Sequence, residues 1–161
     1  EKSFNKNEFN IYLSSLMSQI LWTQNKKEKA KNILKNVLDI YPNKSIRIQL
    51  AEYNIKDKNN LEKSIRDLEG LVVSHSYNPQ LYKLLAEGYT KIDNIYKAKL
   101  ALVNYYDLKG NMTMAFKVID DAVTSTKLSQ FQKSYLFKLK NSILCSSNPP
   151  LEPIFGDKTC I

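Results

Sequence analysis

Apolar residues along this chain recur at three- and four-residue steps in eight stretches, the period of helices that each bury one side. The first stretch predicts a helix over Asn7 to Thr23, with Phe9, Leu13, Leu16, Met17, Ile20 and Leu21 as one buried stripe and Trp22 off it. Asn25 followed three residues later by Glu28 reads as a capping pair for a second helix, whose Ala30, Ile33, Leu34, Val37 and Leu38 face inward until Tyr41-Pro42-Asn43 stops it. A third helix over Ser45 to Lys56 is only partly periodic, through Ile46, Ile48, Leu50, Ala51 and Ile55. Asn59-Asn60 then breaks the chain, and Leu61, Ile65, Leu68, Leu71 and Val72 mark a fourth helix. Asn78-Pro79 opens a fifth that runs to about Lys91, because Asn accepts from free amides and Pro at the first helical position gives up no bond. Asp93 or Asn94 caps the sixth, and Gly110-Asn111 ends it and caps the seventh. Ser129 with Gln132 forms a capping box ahead of the eighth, whose stripe is Phe131, Tyr135, Leu139 and Ile143.

The small residues inside the second helix of each pair carry a longer period. Ala30, Ser64 and Ala98 stand at one constant interval, at positions where a larger side chain would push two helices apart. That interval, together with Tyr82, Leu85, Ala86, Tyr89, Ala98, Leu102 and Tyr105, resembles the tetratricopeptide (TPR) repeat. Ala115 follows Ala98 after only half the interval, which predicts that one helix serves two hairpins. The expected fold is therefore all-α, a TPR-like α-solenoid of about eight antiparallel helices over residues 1–144. Its repeats cover about 11–44, 45–78 and 79–110, with an overlapping unit at 96–127 and a capping helix at 129–144. Residues 145–161, with three prolines and no period, read as an extended tail.

Charge changes this picture little. The net charge of +8 invites a nucleic-acid reading, but all the basic residues except Arg47 and Arg66 are Lys, and Arg is the residue that forks onto phosphate and guanine. A basic RNA-associated helical repeat is thus the third reading, behind two that rest on protein partners. The densest cluster, Lys26, Lys27, Lys29, Lys31 and Lys35, is expected on a solvated outer face. No apolar run of about 18 residues is present to span a membrane.

Candidate chemistry is sparse. His75 is the one histidine, without a Cys/His cluster or a His-Glu-x-x-His helix, so no metal ligand set is predicted. Asp120 and Asp121 are adjacent on a helix and point about 100° apart, too divergent to flank one bond. Gly110 stands without the clustered glycines of a phosphate cradle. No catalytic, cofactor-binding or metal residue is expected. In the repeat register Tyr12, Gln19, Trp22, Tyr53, Lys56, Lys83, Glu87 and Lys91 fall on the inner face of the first helix of each hairpin, an aromatic and cationic groove suited to an extended, partly acidic peptide. Cys145 and Cys160 bracket the tail. In an oxidising compartment a disulfide would tie the tail to the eighth helix; in a reducing one they are two thiols.

The segment Ala101-Leu102-Val103-Asn104-Tyr105-Tyr106-Asp107-Leu108-Lys109-Gly110, followed by the Ala115-centred helix and a final helix, resembles the C-terminal TPR region of periplasmic zinc metalloproteases of the β-barrel assembly-enhancing type. The similarity covers roughly Asn78 to Ile143 and departs in the Lys/Asn-rich surface and the Cys-bearing tail. It implies a zinc-bearing protease domain upstream of Glu1, a periplasmic location, and docking to outer-membrane barrel assembly machinery or its clients; it also favours the Cys145–Cys160 bond. The rival is a free-standing cytoplasmic TPR adaptor or chaperone that holds a peptide in the same groove.

Overall fold

The computed structural model describes residues 6–146, with side chains from residue 11 onward. Every regular element among them is a helix: α1 (Lys6–Thr23), α2 (Lys27–Ile40), α3 (Lys44–Lys56), α4 (Leu61–Ser74), α5 (Pro79–Lys91), α6 (Ile95–Leu108), α7 (Met112–Thr124) and α8 (Gln130–Ser146). The all-α expectation with eight helices is met, and no described helix is long and apolar enough to cross a membrane. The chain divides into two compact units, Glu1–Val73 and Ser74–Ile161.

In the first unit α2 packs on α1 and on α3, around Ala30, Leu34, Ile46 and Tyr53. In the second, α6 packs on α5, α7 and α8, and α7 packs on α8. Val103, Ala115, Ile119, Ala122, Leu136 and Ile143 form the core there.

The turns carry the repeat. Asn25, Lys58, Asp93 and Gly110 all have positive φ, the first three close to one full repeat apart and the last after half a repeat. Each stands just past a helix in the left-handed conformation that lets the next amide reach back to a free carbonyl. Lys26 N–H donates to Leu21 O at 2.8 Å, Asn59 to Asn54 at 2.9 Å, Asn94 to Tyr89 at 2.9 Å and Asn111 to Tyr106 at 2.8 Å, the same closure four times. The following helix then places its small buried residue at one position, with the amides of Ala30, Ser64, Ala98 and Ala115 each donating to the carbonyl four residues earlier.

The other turns are of a second kind. They run through Tyr41-Pro42-Asn43, through His75 to Asn78, and through Ser125 to Ser129. Asn43 and Asn78 cap α3 and α5 from extended backbone, with Oδ1 accepting from Ile46 N and Gln80 N. The two kinds alternate along the chain until α6, which has the left-handed kind at both ends. This helix therefore closes one hairpin and opens the next, as the halved interval between Ala98 and Ala115 predicts.

Three expectations are corrected. Asn25 does not cap α2: it takes φ +60° to end α1, and no side-chain bond caps α2 at Lys26. In α8, Phe131 and Tyr135 are exposed, and Leu136, Lys140, Ile143 and Leu144 make the buried side. The Ser129–Gln132 box does form, Ser129 Oγ accepting from Gln132 N and Gln132 Oε1 from Ser129 N. The third correction is α1: of its expected stripe Leu13, Leu16, Met17 and Ile20 are exposed and Leu21 packs inward, while the side chain of Phe9 lies outside the described residues. The face that packs on α2 and α3 is built from Ile11, Ser15, Ser18, Leu21 and Trp22, with Ser18 fully buried and its hydroxyl donating to Ala30 O at 2.9 Å.

Candidate interaction surface

The five groove residues predicted for the first unit do not form one open wall. Trp22 and Tyr53 are brought together as a stacked pair, centroids 4.0 Å apart and planes within 10°. Tyr53 is only 5% exposed and belongs to the core, so its expected place on the groove surface is corrected: the ring supports Trp22 from beneath. Trp22 stays half-buried, with Lys27 Nζ 5.7 Å from its ring centre.

Gln49 fixes this arrangement, a role that periodicity did not single out. Its Nε2 donates to Tyr53 Oη at 3.1 Å and to Ser15 O at 3.2 Å, while Oε1 accepts from Ser15 Oγ at 2.8 Å. A side-chain amide that uses both N–H donors and its oxygen in this way holds α1 against α3 in a single register. Tyr12 and Gln19 remain exposed on α1, and Tyr12 borders a cavity of about 260 Å³ shared with Ile11, Ser15, Asn43, Ser45 and Ile46. Lys56 is exposed at the end of α3, where Nζ pairs with Glu52 at 2.6 Å.

In the second unit Lys83, Glu87 and Lys91 recur every four residues on α5 and so share one face. Lys83 and Lys91 are exposed and Glu87 half-buried.

The lysine cluster is not wholly a solvated face. Lys31 is 1% exposed, and its ammonium lies 2.9 Å from Asp57 Oδ2 and beside Glu28; Lys27 Nζ reaches Asp57 Oδ1 at 2.9 Å. Burial alone pulls the Lys31 ammonium down, but the hydrogen bonds to Glu28 and Asp57, together with the charges of those two carboxylates, outweigh it and hold the group above the ordinary lysine value. The bonds from Lys31 and then Lys27 hold the Asp57 carboxyl below its ordinary value. Burial raises the Tyr82 phenol, and it raises that of Tyr96, which Tyr135 nearby pushes further.

Asp120 likewise has a specific partner, Lys140 of α8 at 2.6 Å, whose ammonium lies 5.4 Å from the Phe116 ring centre. His75 directly follows α4, with Nδ1 2.8 Å from Ser74 Oγ. Among the described residues no three His, Cys, Asp or Glu side chains converge as metal ligands. A cavity of about 540 Å³ lies between α2, α3 and α4, lined by Lys35, Asp39, Arg47, Lys63 and Asp67 over Leu38, Leu50 and Ala51. Asn54 also lines it, and its buried Oδ1 accepts from no described group. The Cys145–Cys160 pairing lies outside the described residues, because Cys160 is beyond them.

No family model matches the chain, and no curated protein matches it.

Proposed function

We propose that this chain is a non-catalytic protein-binding module of the TPR-like helical-repeat kind. The observation that carries the reading is the recurring left-handed turn with a small buried residue five or six positions later, which gives each hairpin the same construction while leaving the first helices free to vary their surface. On those first helices Tyr12, Gln19, Lys56, Lys83 and Lys91 are exposed, and Trp22 is partly so. Aromatic and cationic side chains on rigid helices suit an extended, partly acidic segment of a partner. In the finer reading, the module belongs to a periplasmic zinc metalloprotease of the β-barrel assembly-enhancing type and docks it to outer-membrane assembly machinery or its clients. Support comes from the Ala101–Gly110 segment and from α6 serving two hairpins.

Two experiments separate these levels. Gln19→Ala with Lys56→Glu, both at exposed positions, should weaken capture of an acidic peptide by the full chain while helicity stays constant; unchanged capture rejects the groove. The coding sequence upstream of Glu1 tests the attachment: a His-Glu-x-x-His helix behind a secretory leader supports it. A start codon at that point rejects it in favour of the free-standing adaptor.

A further inference from the structure

We infer that the outward face of α1 is a docking surface for an amphipathic helix constructed like α2, delivered by a partner protein. Leu13, Leu16, Met17 and Ile20 are 47, 56, 60 and 57% exposed and stand at i, i+3, i+4 and i+7, one continuous stripe. From Phe9 to Asn25 there is no charged residue, in a chain that is 25% charged. Contiguous side chains of this kind make a patch on the order of 400 Å², the size of the largest apolar patch on an ordinary monomer, which is often functional.

The repeat register says what belongs there. The left-handed residues Asn25 and Lys58 end α1 and α3 in the same way, and bringing them into register superimposes the two helices. Ser18 then matches Ala51 and Trp22 matches Ile55, all on inward positions. The exposed Leu13, Met17 and Ile20 match Ile46, Leu50 and Tyr53. Those three residues of α3 pack with Ala30 and Leu34, the side that α2 presents to it. Apart from Leu16, which matches Gln49, the stripe on α1 is thus the same receiving face, and among the described residues no helix lies on it; it specifies an incoming helix with a small residue where α2 has Ala30 and leucine-like residues four and seven positions on.

One difference sharpens the specificity. Asp57, which holds Lys27 and Lys31 of α2, is matched in α1 by Gln24. A partner helix with a lysine at the Lys31 position would bury an ammonium with no carboxylate from α1, so the preferred helix is uncharged there. A second copy of the chain is a poorer occupant. It would set Leu16 and Met17 against their own kind, with no small residue to let the axes close, and each copy carries +8.

This inference concerns a different face from the proposed groove and is tested separately. The probe is a helix-stapled peptide of residues 26–41 carrying Lys31→Met, titrated into the full chain by fluorescence anisotropy of a label on the peptide. Saturable binding is expected. Leu16→Gln with Met17→Gln in the chain should weaken it about tenfold, the effect of losing part of two buried apolar side chains. Ala30→Leu in the peptide should weaken it as well, and restoring Lys31 should do the same. Lys56→Glu in the chain, which tests the groove, should leave the titration unchanged. Equal binding of a peptide with its apolar positions scrambled would overturn the inference, as would indifference to the Leu16/Met17 change. So would a chain dimer that the peptide does not dissociate, or adsorption to anionic lipid vesicles, lost in the Leu16/Met17 variant, without peptide binding.

Discussion

Lys31 Nζ lies 2.9 Å from Asp57 Oδ2 with the lysine almost wholly out of solvent, so α2 is tied to the end of α3 by an ion pair that only one of its partners shares with water. Breaking such a pair from the carboxylate side leaves a cation buried. Asp57→Ala should therefore cost about 2 kcal/mol, somewhat below the range for fully buried pairs, because Glu28 still reaches the ammonium. Lys31→Met removes the charge but keeps the packing volume, and should cost less. Combined with Asp57→Ala it should recover most of the loss. Denaturant unfolding of the four proteins checks this as a double-mutant cycle, and strictly additive costs would mean that the two groups are not coupled.

The same pair sets a pH dependence whose sign follows from the direction of each shift. Asp57 in the folded protein titrates below its ordinary value of 3.8. Its contribution is fully present above that value and is lost as the pH falls through the lowered folded value. Lys31 is held above 10.5, so its contribution is present below that value and disappears only as the pH rises through the folded one. The stability gap between the wild type and Asp57→Asn should be widest across the neutral range and close in acid. A gap that stays the same down to about pH 2 would remove Asp57 from the account.

Much of this architecture is legible in the sequence because helix boundaries depend on local chemistry. Asn78-Pro79, Gly110-Asn111 and the Ser129–Gln132 box all act within a few residues, and all behave in the structure as their sequence predicts. What is not legible depends on tertiary contacts. Apolar periodicity places the buried side of α1 on Phe9, Leu13, Leu16, Met17, Ile20 and Leu21, yet Leu13, Leu16, Met17 and Ile20 are exposed and Leu21 packs beside Ser15, Ser18 and Trp22, since small residues permit close approach and the hydroxyls find partners across the helices. Lys31 reads as surface because nothing in a lysine-rich run marks the one member that faces Asp57. Asn25 reads as a cap because Asn serves both left-handed and capping positions, and only the backbone tells them apart. Of the residues assigned to the groove, Tyr12, Gln19 and Lys56 are exposed, whereas Tyr53 lies in the core, because an aromatic residue at the helix face suits a core and a binding wall equally well.

The recurring turn gives a matched pair of substitutions with opposite signs. Lys58 sits at φ +55° although its side chain disfavours that region, and Gly110 sits at φ +67° where glycine is unstrained. Lys58→Gly should stabilise the protein, or at least leave it no weaker, because relief of strain offsets the added freedom of the unfolded chain. Gly110→Ala should destabilise it by about 1 kcal/mol, although no atom lies within 4 Å of the added Cβ, because the penalty is conformational rather than steric crowding. Thermal unfolding followed by circular dichroism reads both. A destabilising Lys58→Gly together with a neutral Gly110→Ala would deny the left-handed turns their part in holding the hairpins.

The chain has a single tryptophan, and its stacking on Tyr53 makes its emission a local reporter of how α1 sits on α3. Tyr53→Phe keeps the ring and loses only the hydroxyl that accepts from Gln49. Its cost should be about 1 kcal/mol or less, since Gln49 Nε2 retains Ser15 O as a partner. Tyr53→Ala removes a buried aromatic ring and should cost about 3 kcal/mol, with the Trp22 emission shifting to the red as the ring loses its cover. The two variants also separate positioning from contact in any partner-capture measurement. If Tyr53 acts only by holding Trp22, Tyr53→Phe retains capture and Tyr53→Ala loses it in step with the emission shift. Loss of capture in Tyr53→Phe, with the emission unchanged, would show instead that the hydroxyl itself meets the partner.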